Sequence, residues 1–80
     1  MPTRKDIGSL KFEAPIAGLV LRILVSPGDE VSRGQDIVVI EAMKTELNLA
    51  AEGDAIVESI LVAPDEIVQE GQILVTFKQT

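Results

Sequence analysis

The sequence repeats itself with a shift of 37 residues, and this repeat restricts the fold more than any other feature of the chain. Residues 20–38 align with residues 57–75, and nine of the 19 aligned positions are identical. The shared pattern is V-x-x-I-L-V-x-P-x-x-x-V-x-x-G-Q. Two copies of one motif predict pseudo-twofold symmetry. Because neither copy can cover its own apolar face, we expect the two copies to pack against each other.

Short runs of aliphatic and β-branched residues predict that each copy is built from strands. The runs occupy residues 19–25, 36–42, 45–51, 55–62 and 72–77. Clusters of Pro, Gly, Asp and Ser separate them, which is typical of an all-β sandwich or barrel. Both copies also step by three residues, from Val20 to Ile23 and from Val57 to Ile60, and so break the two-residue period of a strand. This predicts a β-bulge at the same place in each half.

The turns that follow the repeated strands differ by one residue. Pro27 and Gly28 predict a tight turn in the first copy, because Pro fixes φ and Gly accepts a positive φ. The second copy has Asp65 in place of that glycine. Asp tolerates the left-handed region better than most residues but less well than Gly, so the sequence leaves the geometry of the second turn open.

Composition excludes several functions. There is no Cys and no His, so the chain lacks a thiol nucleophile and the commonest general base. The net charge of −6 argues against nucleic acid or an anionic membrane as a partner. No apolar run approaches the roughly 20 residues that a membrane span needs. We expect a flexible segment at residues 1–9, one domain at residues 10–80, and a cytoplasmic location, or the mitochondrial matrix if the domain comes from a longer chain.

The segment between the two copies predicts a β-hairpin. Its strands would be residues 36–41 and 45–50, with a tip within residues 42–44. The tip lacks the Asn-Gly or Gly-Gly pair that usually closes a hairpin. It places Met43, an apolar residue, beside Lys44 at a position expected to be exposed. Two neighbouring departures from local rules are typical of a functional site.

The tetrapeptide Glu41-Ala42-Met43-Lys44 resembles the EAMK signature of biotinyl domains, the biotin carboxyl carrier family. The flanking stretches APIAGLV, ILVSPGDEVSRGQDIVVIEAMKTE and ILVAPDEIVQEGQILV are also similar, so the resemblance covers roughly residues 12–77. It implies a flattened β-barrel, or sandwich, of two four-stranded antiparallel sheets with quasi-twofold symmetry.

The resemblance also implies the site and its partners. Biotin would be attached covalently to Lys44 by a biotin protein ligase, and Glu41, Ala42 and Met43 would be recognised by the ligase or by partner enzymes. The chain would be a non-catalytic carrier that shuttles carboxybiotin between biotin carboxylase and a carboxyltransferase or decarboxylase subunit. The sequence departs from the family pattern at Thr45, where Met is usual, and at Asp65, where many members have Gly.

Four alternatives remain open. The chain could be a lipoyl carrier domain of a 2-oxoacid dehydrogenase-type complex, which shares the fold but normally carries Asp-Lys-Ala at the tip. It could be an unmodified lipoyl-like structural module, although those are usually split by a long helical insertion. Lys44 could be an ordinary surface lysine. A small enzyme is the fourth alternative, but nothing in the sequence marks a catalytic pocket.

Overall fold

The structure is a computed structural model that describes residues 10–78, and in that range the chain forms strands and turns without a helix. The eight strands are β1 (Leu10–Glu13), β2 (Gly18–Ile23), β3 (Glu30–Val31), β4 (Asp36–Ala42), β5 (Thr45–Ala50), β6 (Ala55–Ile60), β7 (Ile67–Val68) and β8 (Ile73–Lys78). All five predicted runs form strands. The sequence did not single out β1, β3 and β7, and the last two contain only two residues each, too few for a period to show. The expected flexible segment 1–9 lies outside the described residues.

The strands form two four-stranded antiparallel sheets. One sheet has the order β1-β8-β6-β3 and the other has the order β5-β4-β2-β7. Adding 37 to the residue numbers carries β2 onto β6, β3 onto β7 and β4 onto β8, so each sheet is the counterpart of the other. This confirms the predicted fold class and its quasi-twofold symmetry.

The predicted bulges are present at equivalent positions. The pairing of β2 with β4 shifts between Val20 and Arg22. The pairing of β6 with β8 shifts between Val57 and Ser59, which are 37 residues further along. The extra residue in each strand increases the local twist, which helps two sheets to curve around one core.

The two equivalent turns also match. Gly28 has a φ of 94° and Asp65 has a φ of 74°, so Asp adopts the left-handed conformation that Gly provides in the first copy. Each turn is closed by an acidic side chain three residues after a backbone donor. Ser26 N donates to Asp29 Oδ2 over 2.8 Å. Ala63 N donates to Glu66 Oε1 over 3.0 Å, so the two halves share one turn geometry.

Aliphatic side chains from both sheets fill a single core. Its largest fully buried members are Val20, Ile37, Val38, Ile40, Val57, Val68, Leu74 and Val75. No polar or charged residue is buried among residues 10–78. Phe12 packs edge-on against Phe77, with ring centroids 5.7 Å apart. The core of the described chain is therefore wholly apolar, and its charged residues lie at the surface.

The tip of the β4–β5 hairpin lies at one pole of the described chain, and the start of β1 and the end of β8 lie at the other. The segment between β1 and β2 connects the start of β8 to the tip. At its beginning, Ala14 N donates to the carbonyl of Gln72, just before β8. Gly18, four residues after Ala14, lies against the Glu41 carbonyl near the hairpin tip. The start of β8 is therefore on the tip side, and β8 runs away from the tip. The last residues of β8 pair with β1 at the far pole, where Leu10 faces Phe77.

Candidate functional site: the β4–β5 hairpin tip

The hairpin closes with a loop of only two residues. Ala42 pairs with Thr45, which leaves Met43 and Lys44 as the loop. Their φ angles are 52° and 64°. Positive φ at both central residues is the pattern of a type I′ turn, whose twist matches that of the flanking strands. The twist of the sheet therefore imposes the left-handed conformation on two residues that do not favour it.

Both loop side chains are exposed to solvent. Met43 is 84% exposed, the largest value among the exposed large apolar residues of the described chain. Lys44 is also exposed. Within residues 10–78 its ammonium group makes no hydrogen bond and no ion pair. The hairpin therefore fixes the backbone position of Lys44, while its amine projects into solvent.

The surface directly below the tip is polar. Glu41 and Glu46 face each other across β4 and β5 on the outer side of the sheet. Like charges in this arrangement destabilise a sheet. Arg22 Nη2 lies 3.4 Å from Glu46 Oε1 and offsets part of this repulsion, although the pair is more than half exposed and so contributes little.

Glycine allows β2 to approach β4 closely at the base of the tip. A Cβ atom on Gly18 would lie 2.6 Å from the Glu41 carbonyl oxygen and 3.4 Å from Ala42 Cβ. Ala42 is only 5% exposed and belongs to the core. Its side chain therefore packs beneath the tip, whereas the side chains of Glu41, Met43 and Lys44 are exposed.

A cavity of about 470 Å³ lies elsewhere, beside β1 and the last residues of β8. Its lining consists of Leu10, Lys11, Phe12, Glu13, Glu52, Gly53, Asp54, Ala55 and Phe77. In the described part of the chain, no group of three or more His, Cys, Asp or Glu side chains could hold a metal ion. No helix in residues 10–78 is long and apolar enough to cross a membrane. The hairpin tip is the candidate site because it exposes Met43 and Lys44 side by side.

The family model described as "Biotin-requiring enzyme" matches residues 10–77, which is almost the whole described chain. The chain belongs to this biotin-requiring family. Within the family it is a non-catalytic biotin carboxyl carrier domain, the type of domain named in several relatives. The carrier domain is 40% identical over 64 residues to the human mitochondrial propionyl-CoA carboxylase alpha chain, covering 80% of this chain and 9% of the relative.

A shorter relative matches the carrier domain over nearly its whole length. The biotin carboxyl carrier protein of acetyl-CoA carboxylase from Solanum lycopersicum is 35% identical over 65 residues, which cover 81% of this chain and 93% of the relative. By contrast, the carrier domain spans only about a tenth of the propionyl-CoA carboxylase alpha chains.

Two solved structures share the fold. A single-chain, multi-domain long-chain acyl-CoA carboxylase matches with a TM-score of 0.87 and 30% identity, over 100% of this chain and 8% of that chain. The lipoyl domain of the 2-oxoglutarate dehydrogenase complex from Azotobacter vinelandii matches with a TM-score of 0.76 and 26% identity. This match covers 88% of this chain and 96% of the lipoyl domain. Carrier domains for biotin and lipoyl groups therefore share this architecture.

The sequence did not identify every residue around the tip. Leu19 and Ile67 lie on the outer face of the same sheet as Glu41, and Ile67 is 70% exposed. The repeat holds a signal that reveals them, because position 67 corresponds to Glu30 in the first copy. An isoleucine in the place of a glutamate, on an exposed strand, is a departure from the symmetry of the carrier domain.

Proposed function

We propose that Lys44 of this biotin carboxyl carrier domain bears biotin and carries a carboxyl group between two active sites. The observation that supports this most directly is the position of Lys44, whose amine is exposed and has no partner among residues 10–78, at the tip of a two-residue turn in a chain of the biotin-requiring family. Covalent attachment requires an accessible primary amine and no binding cavity. The tip fits that requirement.

A biotin protein ligase is the partner that attaches biotin. Lys44 Nζ loses a proton and forms an amide bond with the carboxyl carbon of biotin, while the group that activates that carbon departs with its bonding electrons. The amide removes the positive charge of Lys44 and lengthens the side chain. Bound biotin supplies a ureido nitrogen that accepts and releases the carboxyl group, so the hard chemistry belongs to the cofactor and the partner enzymes.

The rigid hairpin and the flexible side chain have complementary roles. The turn fixes the point of attachment, and the arm lets the group reach a biotin carboxylase and then a carboxyltransferase or decarboxylase. Tethering raises the concentration of the group at each active site without tight binding of the carrier. Met43 and Glu41 flank the attachment point on the exposed surface, which supports their role in recognition by these partners.

The test is the intact mass of the chain after incubation with a biotin protein ligase, biotin and ATP. We expect one biotinyl group, located at Lys44 by peptide fragmentation. Lys44→Arg should abolish the mass increase, whereas Lys11→Arg and Lys78→Arg, at two other exposed lysines, should leave it unchanged. Biotin on the Lys44→Arg chain would show that the attachment site lies elsewhere.

A lipoyl carrier is the second candidate, because the lipoyl domain from Azotobacter vinelandii matches over 88% of this chain. The same mass measurement with a lipoyl ligase and lipoic acid separates the two functions, since the attached groups differ in mass. We expect modification by biotin alone. Efficient lipoylation of Lys44 without biotinylation would replace the proposed function by this second one.

A further inference from the structure

The outer face of the sheet β5-β4-β2-β7 carries an apolar surface next to the tip. Leu19 of β2 pairs with Glu41 of β4 on one side and with Ile67 of β7 on the other. Directly paired residues point to the same face of a sheet. Glu41 and Ile67 are exposed and their neighbours Ala42 and Val68 are buried, so this face is the outer one. The Leu19–Ile67 patch, as we call it, is thus continuous with the tip.

The distance to the attachment point is short. Leu19 is level with Glu41, only two residues below Met43, and a strand rises about 3.3 Å per residue. Ile67 is two strands from Glu41, which corresponds to about 10 Å across the sheet. A protein surface that receives the Lys44 side chain therefore also reaches the Leu19–Ile67 patch.

The internal symmetry provides a control for the role of the patch. The equivalent of Ile67 in the other half is Glu30, which is also exposed and pairs with Ile56 on the edge strand β3. The fold is therefore compatible with a charged side chain at this position. By contrast, the exposed Leu24 and Leu61 are equivalent and occur in both halves, as expected of residues that the architecture itself requires. Ile67 has no such structural reason.

Most of the charged residues around the patch are acidic, and the cation on the same strand as Leu19, Arg22, is paired with Glu46. Asp65, Glu66 and Glu70 are exposed on the segment that contains β7, and Glu41 closes the opposite side. A charged rim around an apolar centre is the general organisation of a protein interface. The complementary surface is an apolar pocket bordered by Lys or Arg side chains.

We infer that the Leu19–Ile67 patch is the docking surface for the enzyme that attaches biotin to Lys44, and that it inserts Ile67 into an apolar pocket with a basic border. The ligase fits better than the carboxylase components, because it must bring activated biotin to bonding distance of Nζ itself. Enzymes that act on the far end of the biotinylated arm can work at a greater distance. The inference rests on the proposed function of Lys44.

The test compares the rate of biotinylation of Ile67→Glu with that of the wild-type chain, using a biotin protein ligase that labels the wild-type chain. We expect kcat/KM to fall by about tenfold or more, mainly through KM, which is the loss typical of an interface residue that fills a pocket. Ile67→Ala should give a smaller loss. An unchanged kcat/KM for Ile67→Glu would overturn the inference.

Two controls keep the outcome specific. Leu24→Glu introduces a glutamate at another exposed apolar residue. The backbone N–H of Leu24 donates to the carbonyl of Ile37 near the start of β4, about 16 Å along the strand from Ala42. This variant should not alter kcat/KM. Glu70→Lys reverses a charge of the rim at the position that Arg33 occupies in the first copy, and it should raise KM. Each variant must keep the thermal midpoint of the wild-type chain. We expect this of Ile67→Glu, because the equivalent position in the first half is already occupied by a glutamate, Glu30.

The result separates this inference from the proposed function. If the wild-type chain is not labelled at Lys44 by any ligase, the proposed function fails. If it is labelled and Ile67→Glu is labelled equally well, only the docking surface is wrong. A wild-type dimer that Ile67→Glu converts to a monomer in sedimentation would assign the patch to a second copy of this chain, and would also overturn the inference.

Discussion

The tip of the hairpin is strained, and replacing its two residues should stabilise the domain. Met43 and Lys44 have φ values of 52° and 64°, in a region that costs an ordinary residue roughly 1–2 kcal/mol. The variant Met43→Asn/Lys44→Gly installs the preferred type I′ pair. The greater flexibility of Gly in the unfolded chain offsets about 0.5–1 kcal/mol of the strain energy that this variant relieves.

The expected net gain is about 1–2 kcal/mol in the free energy of unfolding. For a domain of 60–100 residues, 1 kcal/mol corresponds to roughly 4–8 °C in Tm. The measurement is urea denaturation together with a thermal scan of the unmodified wild-type and variant chains. The same variant cannot be biotinylated, because it lacks Lys44, so stability and the proposed function should change in opposite directions.

The matched control is Lys11→Gly. Lys11 is also an exposed lysine, but it lies in β1 and has no positive φ. Gly inside a strand should lower the free energy of unfolding by about 0.5–1 kcal/mol. The strain argument would be refuted if both variants lost stability equally, since the turn would then impose no cost that Asn and Gly relieve.

Three further changes test how the tip is supported. Gly18→Ala should destabilise the domain by about 2 kcal/mol or more in denaturant titrations, because its Cβ would lie 2.6 Å from a backbone oxygen that cannot move away. The control Gly53→Ala, whose Cβ would meet no atom within 4 Å, should be close to neutral. Ile40→Ala, at a fully buried position, should cost about 2–5 kcal/mol, and a loss below 1 kcal/mol would mean that the core collapses around the gap. Arg22→Ala should lower the free energy of unfolding by no more than about 1 kcal/mol, and any larger loss in the same titrations would contradict the exposed ion pair.

The repeat made most of the fold predictable. A shift of 37 residues gave two matching halves, and the three-residue step from Val20 to Ile23 located a bulge that the structure confirms. The sequence aligned Asp65 with a turn glycine but left the turn geometry open, and its φ of 74° shows the left-handed conformation. These predictions succeed because strand periodicity and turn chemistry are local properties of a sequence.

The parts that could not be predicted depend on contacts between distant strands. The two-residue strands β3 and β7 exist because β6 and β2 offer them a free edge, not because of their own pattern. The burial of Ala42 follows from the approach of Gly18, which is 24 positions earlier in the chain. Likewise, the sequence placed Lys44 at a hairpin tip, but the Leu19–Ile67 patch appears only when β2 and β7 are paired.

The symmetry also has a topological consequence. The hairpin connection in one half corresponds to the two chain ends in the other, so the molecule is equivalent to a closed ring that has been cut at one of two matching turns. A circular permutation could join the end of β8 to the start of β1 through a short turn and open the chain at Met43. The closed hairpin and the open strand ends would then exchange places. With the cut where it is, the start of β1 and the end of β8 lie at the pole far from Lys44, so neither of these strand ends lies beside the lysine.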